Sequence, residues 1–177
     1  MTLEEKNRAD LANANVKEVA GFSKAFRTSE LNNLQSGESF VIPENYTVKQ
    51  RAIGGNTENP MEYINVLTNT GRTVEFSPRS MTRVAFPVDE SGKNIRENGR
   101  MKVVRSIGNL IPFIQGKEID STMKALKGCT IQYTEAERVK TRAFGVPEEK
   151  ATANDVNTTI IGKWDLVGDK KPVGWVE

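Results

Sequence analysis

The residues best suited to chemistry form a row of cations that ends in an aromatic ring. They lie in the segment Arg138-Val139-Lys140-Thr141-Arg142-Ala143-Phe144. In a β-strand, the period of two would place the three cations and the ring on one face: Arg138, Lys140, Arg142 and Phe144. Such a row can follow the phosphates of a single strand while the ring stacks on a base. The segment therefore predicts a binding surface for single-stranded nucleic acid.

Cations in the middle of the chain extend this prediction. Residues 46–110 hold ten Lys and Arg against six Asp and Glu, although the whole chain carries a net charge of only +2. The further candidates for contact with nucleic acid are Lys49, Arg51, Arg100, Lys102 and Arg105. A simpler interpretation stays open, in which these side chains only keep strand faces solvated and protect them from edge-to-edge pairing.

Aromatic residues divide into two groups. Tyr46, Phe144 and Trp164 are the candidates for exposed stacking rings, whereas Phe86 and most other aromatics stand beside aliphatic residues and are expected in the core. The single cysteine, Cys129, precedes the strand-like Ile131 and is expected to be a small buried hydrophobic residue.

The composition argues against an enzyme. The chain contains no histidine and one cysteine, which removes the commonest acid-base catalyst, the commonest zinc ligand and every disulfide within the chain. Ser121 and Lys124 match a Ser-x-x-Lys pattern, but the Lys-Thr-Gly sequence that accompanies it in serine acyl-enzymes is absent. We therefore predict no catalytic residues, no metal site and no cofactor.

Strand-like segments dominate from residue 39 onward, at 39–42, 46–53, 61–68, 72–76, 100–105, 129–134, 138–144 and 158–167. The connection at 69–71 contains Gly71 and separates two β-rich runs, which is typical of a hairpin. Segments 129–134 and 138–144 are predicted to pair with each other. Residues 88–99 are predicted to form a polar loop.

Helices are predicted before this β-rich region and within it. A capping box at Thr2 to Glu5 starts a helix that ends at Gly21, and a second runs from Ser29 to Gly37. Ser77-Pro78 predicts a helical turn over 78–83. Residues 120–127 predict a short helix with Met123 and Leu126 facing inward.

These elements predict a mainly β protein, α+β in detail, built as a small antiparallel barrel or sandwich. The element order over residues 46–144 is compatible with the oligonucleotide-binding barrel. Three parts are expected: an N-terminal helical appendage (1–37), a β-rich core domain (38–168) and a C-terminal tail (169–177).

Two non-enzymatic functions follow. The first is a β-barrel protein that binds single-stranded nucleic acid. The second is a structural or assembly subunit of a phage particle, such as an accessory capsid or cargo protein, whose N-terminal helix and tail dock onto neighbours. The short, histidine-free, asparagine-rich chain favours a phage origin. The expected partners are single-stranded nucleic acid, other subunits or a second copy; no membrane segment is predicted, and the location is the cytoplasm, of a host cell or packaged in a virion.

Overall fold

The computed structural model describes residues 33–53 and 56–177, in which strands far outnumber helices. The strands are β1 (Ser39–Val41), β2 (Lys49–Ile53), β3 (Asn56–Leu67), β4 (Thr73–Phe76), β5 (Val84–Ala85), β6 (Arg96–Glu97), β7 (Arg100–Met101), β8 (Val104–Arg105), β9 (Thr130–Arg142) and β10 (Val156–Val167). The α-helices are α1 (Leu110–Ile114) and α2 (Ile119–Ala125), and 3-10 helices cover Pro78–Thr82, Glu148–Lys150 and Ala153–Asp155.

The strands form four antiparallel sheets, in the orders β1-β9-β10, β2-β3-β4, β5-β8 and β6-β7. A single bridge between Phe40 and Thr68 links the two three-stranded sheets. Within residues 33–53 and 56–177 no sheet closes into a barrel. The mainly β class is confirmed, whereas the barrel, including the oligonucleotide-binding type, is not.

The predicted hairpin is confirmed as β3 and β4, which pair antiparallel from Leu67↔Thr73 to Ile64↔Phe76. Its turn is closed by the Thr68 N–H, which donates to the Arg72 carbonyl at 2.8 Å. Gly71 takes a left-handed backbone conformation (φ +85°) that a side chain would strain.

The predicted pairing of 129–134 with 138–144 is wrong, because these residues belong to one continuous strand, β9. Residues 134–138 contain no Gly, Pro or Asn to turn the chain. β10 instead supplies the partner for the whole length of β9, and together they form a long two-stranded ribbon.

A β-bulge divides the β9–β10 ribbon. Glu135 faces Gly162 and Glu137 faces Ile161, so that Ala136 is an extra residue on β9. Because β10 itself alternates without an insertion, Trp164 lies on one face of the ribbon and Ile161 on the other. The bulge therefore changes which face of β9 is buried.

Two hydrophobic clusters lie on these opposite faces. The smaller cluster joins Ala85, Val139 and Ile161, with Val104 against it. The larger is the main core and contains residues from both three-stranded sheets and both α-helices: Phe40, Ile42, Ile64, Val66, Val74, Phe76, Met81, Leu110, Ile114, Met123, Leu126, Cys129, Ile131, Trp164 and Leu166.

The region 84–107 differs from the prediction. Residues 100–105 are not one strand, because β7 pairs with β6 whereas β8 pairs with β5. The predicted polar loop 88–99 contains β6 and ends in a two-residue turn, in which Asn98 and Gly99 both have positive φ. An Asn-Gly pair is a strong hairpin signal that the sequence reading missed.

Two of the short helices were predicted, whereas α1 and the 3-10 helices at Glu148–Lys150 and Ala153–Asp155 were not. Pro78 starts a 3-10 helix, and α2 buries Met123 ahead of the buried Leu126. The helix predicted to end at Gly21, and the start of the one from Ser29, lie outside the described residues; residues 33–37 are not helical. No helix of residues 33–53 or 56–177 is long and apolar enough to cross a membrane.

The C-terminal tail packs on its own chain. The Trp175 ring lies 5.6 Å from the Phe113 ring, centroid to centroid, and contacts the main core. Lys170 donates to a Glu44 carboxylate oxygen at 3.1 Å. Trp175 is thus half-buried against the main core, which leaves less of the tail for docking onto neighbours.

Candidate nucleic-acid interface

The predicted basic row begins with two exposed cations on β9 that differ in their partners. Arg138 donates from Nε and Nη2 to the two carboxylate oxygens of Glu135, at 2.8 and 3.1 Å. Its charge is therefore largely balanced. The Lys140 side chain has no hydrogen bond or ion pair with any described residue, so its charge faces solvent.

Arg142 is held by neutral groups. Its Nε donates to the Val146 carbonyl at 2.8 Å, and its Nη1 donates to the Gly92 carbonyl at 3.1 Å and to Asn94 Oδ1 at 2.8 Å. These acceptors fix the guanidinium in place without balancing its charge. Arg142 thus supports two loops and also supplies a fixed positive charge at the end of β9.

Phe144 lies beyond the end of β9, in the turn that follows it, rather than on the strand as predicted. Its side chain is fully exposed, at 105% of the reference area. Phenylalanine side chains are usually buried, so a fully exposed one is unusual. The ring is therefore available to a ligand or partner.

Phe144 and Arg142 border an open groove of about 610 Å³ between β5 and the end of the β9–β10 ribbon. Val84 and Phe86, from and just after β5, also line the groove. The threonine pair Thr141 and Thr159, joined through their hydroxyls at 2.7 Å, also lines it. The groove thus combines exposed rings, hydroxyl groups and one unbalanced cation.

The exposure of the aromatic residues differs from the prediction at two positions. Phe86 was expected in the core and is 45% exposed, whereas Trp164 was expected to be exposed and is buried. Phe86 precedes Pro87, and the alternation within β5 turns Ala85 inward and its neighbours outward. Trp164 is enclosed by Phe76 and Tyr133, with ring centroids 5.8 and 4.8 Å away.

The remaining predicted cations are spread over other elements. Arg51 forms an ion pair with Glu75 and its guanidinium lies 5.3 Å from the centre of the Tyr63 ring. Lys49 is exposed on the same strand, β2. Neither residue lines the groove.

The cations of the β7–β8 region lie closer to the groove. Arg100, Lys102 and Arg105 are all exposed. Arg105 is paired across strands with Val84, a residue of the groove wall. The structure therefore brings Arg142 and Phe144 together at the groove, with Arg105 on the strand that pairs with β5. Lys140 does not line the groove, because it alternates with Val139 and Thr141 and lies on the other face of β9.

Among the described residues, metal ligands and ionisable groups with shifted pKa values provide few candidates for a reactive site. No group of three or more His, Cys, Asp or Glu among residues 33–53 and 56–177 could hold a metal ion. Burial raises the pKa of the Cys129 thiol, and burial likewise raises the pKa of the Tyr133 hydroxyl. Both groups therefore stay protonated at neutral pH, while the absence of a metal or cofactor in the functional protein stays a prediction.

No protein-family model, no curated protein and no solved structure matches this chain.

Proposed function

We propose that this protein binds single-stranded nucleic acid in the groove between β5 and the end of the β9–β10 ribbon. The observation that carries the proposal is the fully exposed Phe144 ring two residues after the unbalanced Arg142 charge. A base that stacks on an exposed ring contributes about 1–3 kcal/mol of binding free energy, and a nearby cation attracts the adjoining phosphate.

The chemistry of the groove suits a ligand that is both flat and polar. Phe86 offers a second exposed apolar surface in the groove, while Thr141, Thr159 and Asn94 present hydroxyl and amide groups. Arg105 adds exposed positive charge on β8, the strand that pairs with β5. Binding of this kind follows the backbone and stacks bases without reading a sequence.

Fluorescence anisotropy with a labelled single-stranded oligonucleotide tests the proposal. We expect binding at low salt that weakens as salt rises, with a log-log slope of about −0.7 for each phosphate contacted. Arg105→Gln should weaken binding for all sequences alike and make the slope less steep, whereas Lys140→Gln, on the other face of the ribbon, is the matched control and should change binding little. A wild-type protein that binds no oligonucleotide at low salt would rule out the proposal.

The Phe144→Ala variant separates stacking from charge. We expect it to lose about 1–3 kcal/mol of binding free energy and to keep the wild-type salt slope. Its melting temperature should be unchanged because the ring makes no core contact. Val173→Ala is the matched control, since Val173 is 96% exposed and lies outside the groove.

A second function, an assembly subunit of a phage particle such as an accessory capsid or cargo protein, is favoured by a different observation. Six of the exposed large apolar side chains fall between residues 84 and 107: Val84, Phe86, Ile95, Met101, Val103 and Ile107. Exposed apolar side chains that lie close together often mark protein contacts. Replacing Met101 and Val103 by serine would reduce incorporation into particles, measured by co-sedimentation, and leave oligonucleotide binding unchanged.

A further inference from the structure

β10 is the edge strand of its sheet, and the described residues cover only half of that edge. At its C-terminal half, the Ile107 N–H donates to the Gly162 carbonyl at 3.1 Å and the Trp164 N–H donates to the Ile107 carbonyl at 2.8 Å. These two hydrogen bonds show that in this half the N–H and C=O groups of even-numbered β10 residues point away from β9.

The same alternation holds in the N-terminal half. The Ala143 N–H donates to the Asp155 carbonyl at 2.7 Å, so odd-numbered residues point their backbone groups toward β9. The Val156 N–H donates to the Ala153 carbonyl at the start of the strand. The N–H and C=O groups of Thr158 and Ile160, and the Val156 C=O, point outward, and no hydrogen bond from the described residues reaches them.

Two of the usual protections against pairing, charge and proline, are missing from this open edge. Exposed edge strands normally carry lysine, proline or a bulge that prevents a second strand from adding to the sheet. Residues 156–162, Val-Asn-Thr-Thr-Ile-Ile-Gly, contain no charged residue and no proline. The β-branched side chains of this segment favour extended pairing.

We propose that a second copy of this chain pairs with the open edge, β10 against β10, antiparallel about a two-fold axis at Thr158. In this register Thr158 faces its own copy and Val156 faces Ile160 of the partner, so no like charges oppose each other and β-branched side chains meet across the interface. The two Thr158 residues would exchange both of their backbone bonds, and each Ile160 N–H would donate to the Val156 carbonyl opposite. The inference does not depend on nucleic-acid binding.

Light scattering across a dilution series of the full chain tests the proposal. We expect a species of twice the chain mass that dissociates on dilution. Thr158→Lys places two lysines opposite each other at the axis and should raise the dimer dissociation constant on the order of tenfold. Val173→Lys adds the same charge at an exposed position of the tail and should leave it unchanged.

The lysine introduced at position 158 would face Lys140 across the ribbon and could disturb it. Thr158→Pro is a second variant that introduces no charge. Proline removes an N–H that points away from β9, so it breaks no bond of the ribbon. It should abolish the dimer. A wild-type monomer at all concentrations, or a dimer that survives both variants, would overturn the proposal.

Amide hydrogen exchange on the wild-type protein gives an independent test. The amides of Thr158 and Ile160 should become protected as the protein concentration rises. Those of Asn157 and Thr159, already bonded to β9, and that of Val156, already bonded to Ala153, should change little. Protection of Thr158 and Ile160 that does not depend on concentration would mean that the edge is covered within the same chain, and would reject the dimer.

Discussion

The three cations on the distal half of β9 have separate roles although they are spaced as one row. Arg138 is balanced by Glu135, Arg142 is held by three neutral oxygens, and Lys140 is open to solvent. Three cations at regular spacing along one strand thus differ in how available their charges are to a ligand. Of the three, only Lys140 can be replaced without removing a contact among the described residues.

Stability measurements should separate Arg142 from Lys140. We expect Arg142→Gln to lower the free energy of unfolding by about 1–3 kcal/mol, because the acceptors at Val146, Gly92 and Asn94 lose a charged donor. Lys140→Gln should stay within about 0.5 kcal/mol of the wild type. Urea unfolding of the two variants measures the difference, and equal stabilities would show that Arg142 is not structural.

Residue types alone could identify the cations and the exposed ring but not their partners. Phe144 is followed by Gly145 and its exposure agrees with the prediction. Phe86 and Trp164 were assigned to the wrong environments, because burial depends on which element covers a residue. For Trp164 that cover comes from Phe76, which is distant in sequence.

At the scale of elements, one buried carboxylate fixes the β3–β4 turn to the segment before β1. Glu38 is buried and accepts hydrogen bonds from Thr70, from Thr68 at 3.0 Å and from Arg72 Nε at 3.1 Å. Burial by itself raises the pKa of Glu38. The hydrogen bonds from Thr70, the Gln35 N–H and Thr68, together with the Arg72 charge, lower that pKa below 4.5 overall.

This network predicts a pH dependence of folding. Because the pKa of Glu38 is lower in the folded chain than in the unfolded one, its contribution to stability is present above pH 4.5 and is lost as the pH falls below that value. Glu38→Gln should cost about 1–3 kcal/mol at pH 7 and make the loss of stability in acid less steep.

Urea unfolding between pH 3 and pH 7 measures both effects. Glu149→Gln, at an exposed position, is the matched control and should follow the wild-type curve. An unchanged acid dependence in Glu38→Gln would assign the acid sensitivity to other carboxyl groups.

Several elements whose signals are local were predicted, although the Asn98-Gly99 hairpin was not. The β3–β4 hairpin follows from Gly71 between two β-rich runs, and α2 follows from the spacing of Met123 and Leu126 and from Gly128. The continuity of β9 was not predicted, because it depends on a partner strand that is distant in the sequence. The one local sign of the bulge is on β10, where the adjacent Ile160 and Ile161 break the alternation that leads to Trp164.

At the scale of the whole molecule, the two hydrophobic clusters differ in size and should differ in stability. The proximal half of the β9–β10 ribbon packs on the main core, whereas the distal half depends on Ala85, Val139, Ile161 and Val104. Regions with few buried contacts open locally at a lower free energy than the global unfolding.

Native-state hydrogen exchange should therefore resolve two levels of protection. We expect the amides of Val139 and Thr141 to exchange through openings of lower free energy than those of Ile131 and Tyr133. Measurements on Thr158→Lys remove any contribution from self-association. Equal opening free energies along β9 would mean that the ribbon unfolds as one unit.

The mainly β class could be predicted because strand patterns and turn residues recur along the chain. The division into four sheets could not, since pairs such as Ser39↔Gln132 join residues far apart in sequence. A local sequence pattern does not determine which strands pair with each other, or whether the last strand pairs with the first to close a barrel.

The bulge at Ala136 also has a consequence for how this sequence can vary. Along β10, tolerance to polar substitution should alternate with every residue, with intolerant positions at Leu166, Trp164 and Gly162. Beyond Gly162 the alternation should slip by one place, so that Ile161 becomes the intolerant position. Deleting Ala136 would leave every other residue of β9 opposite its present partner on β10 and on its present face. The unpaired residue of β9 is therefore the one that this strand should be able to lose with its buried side chains still in place.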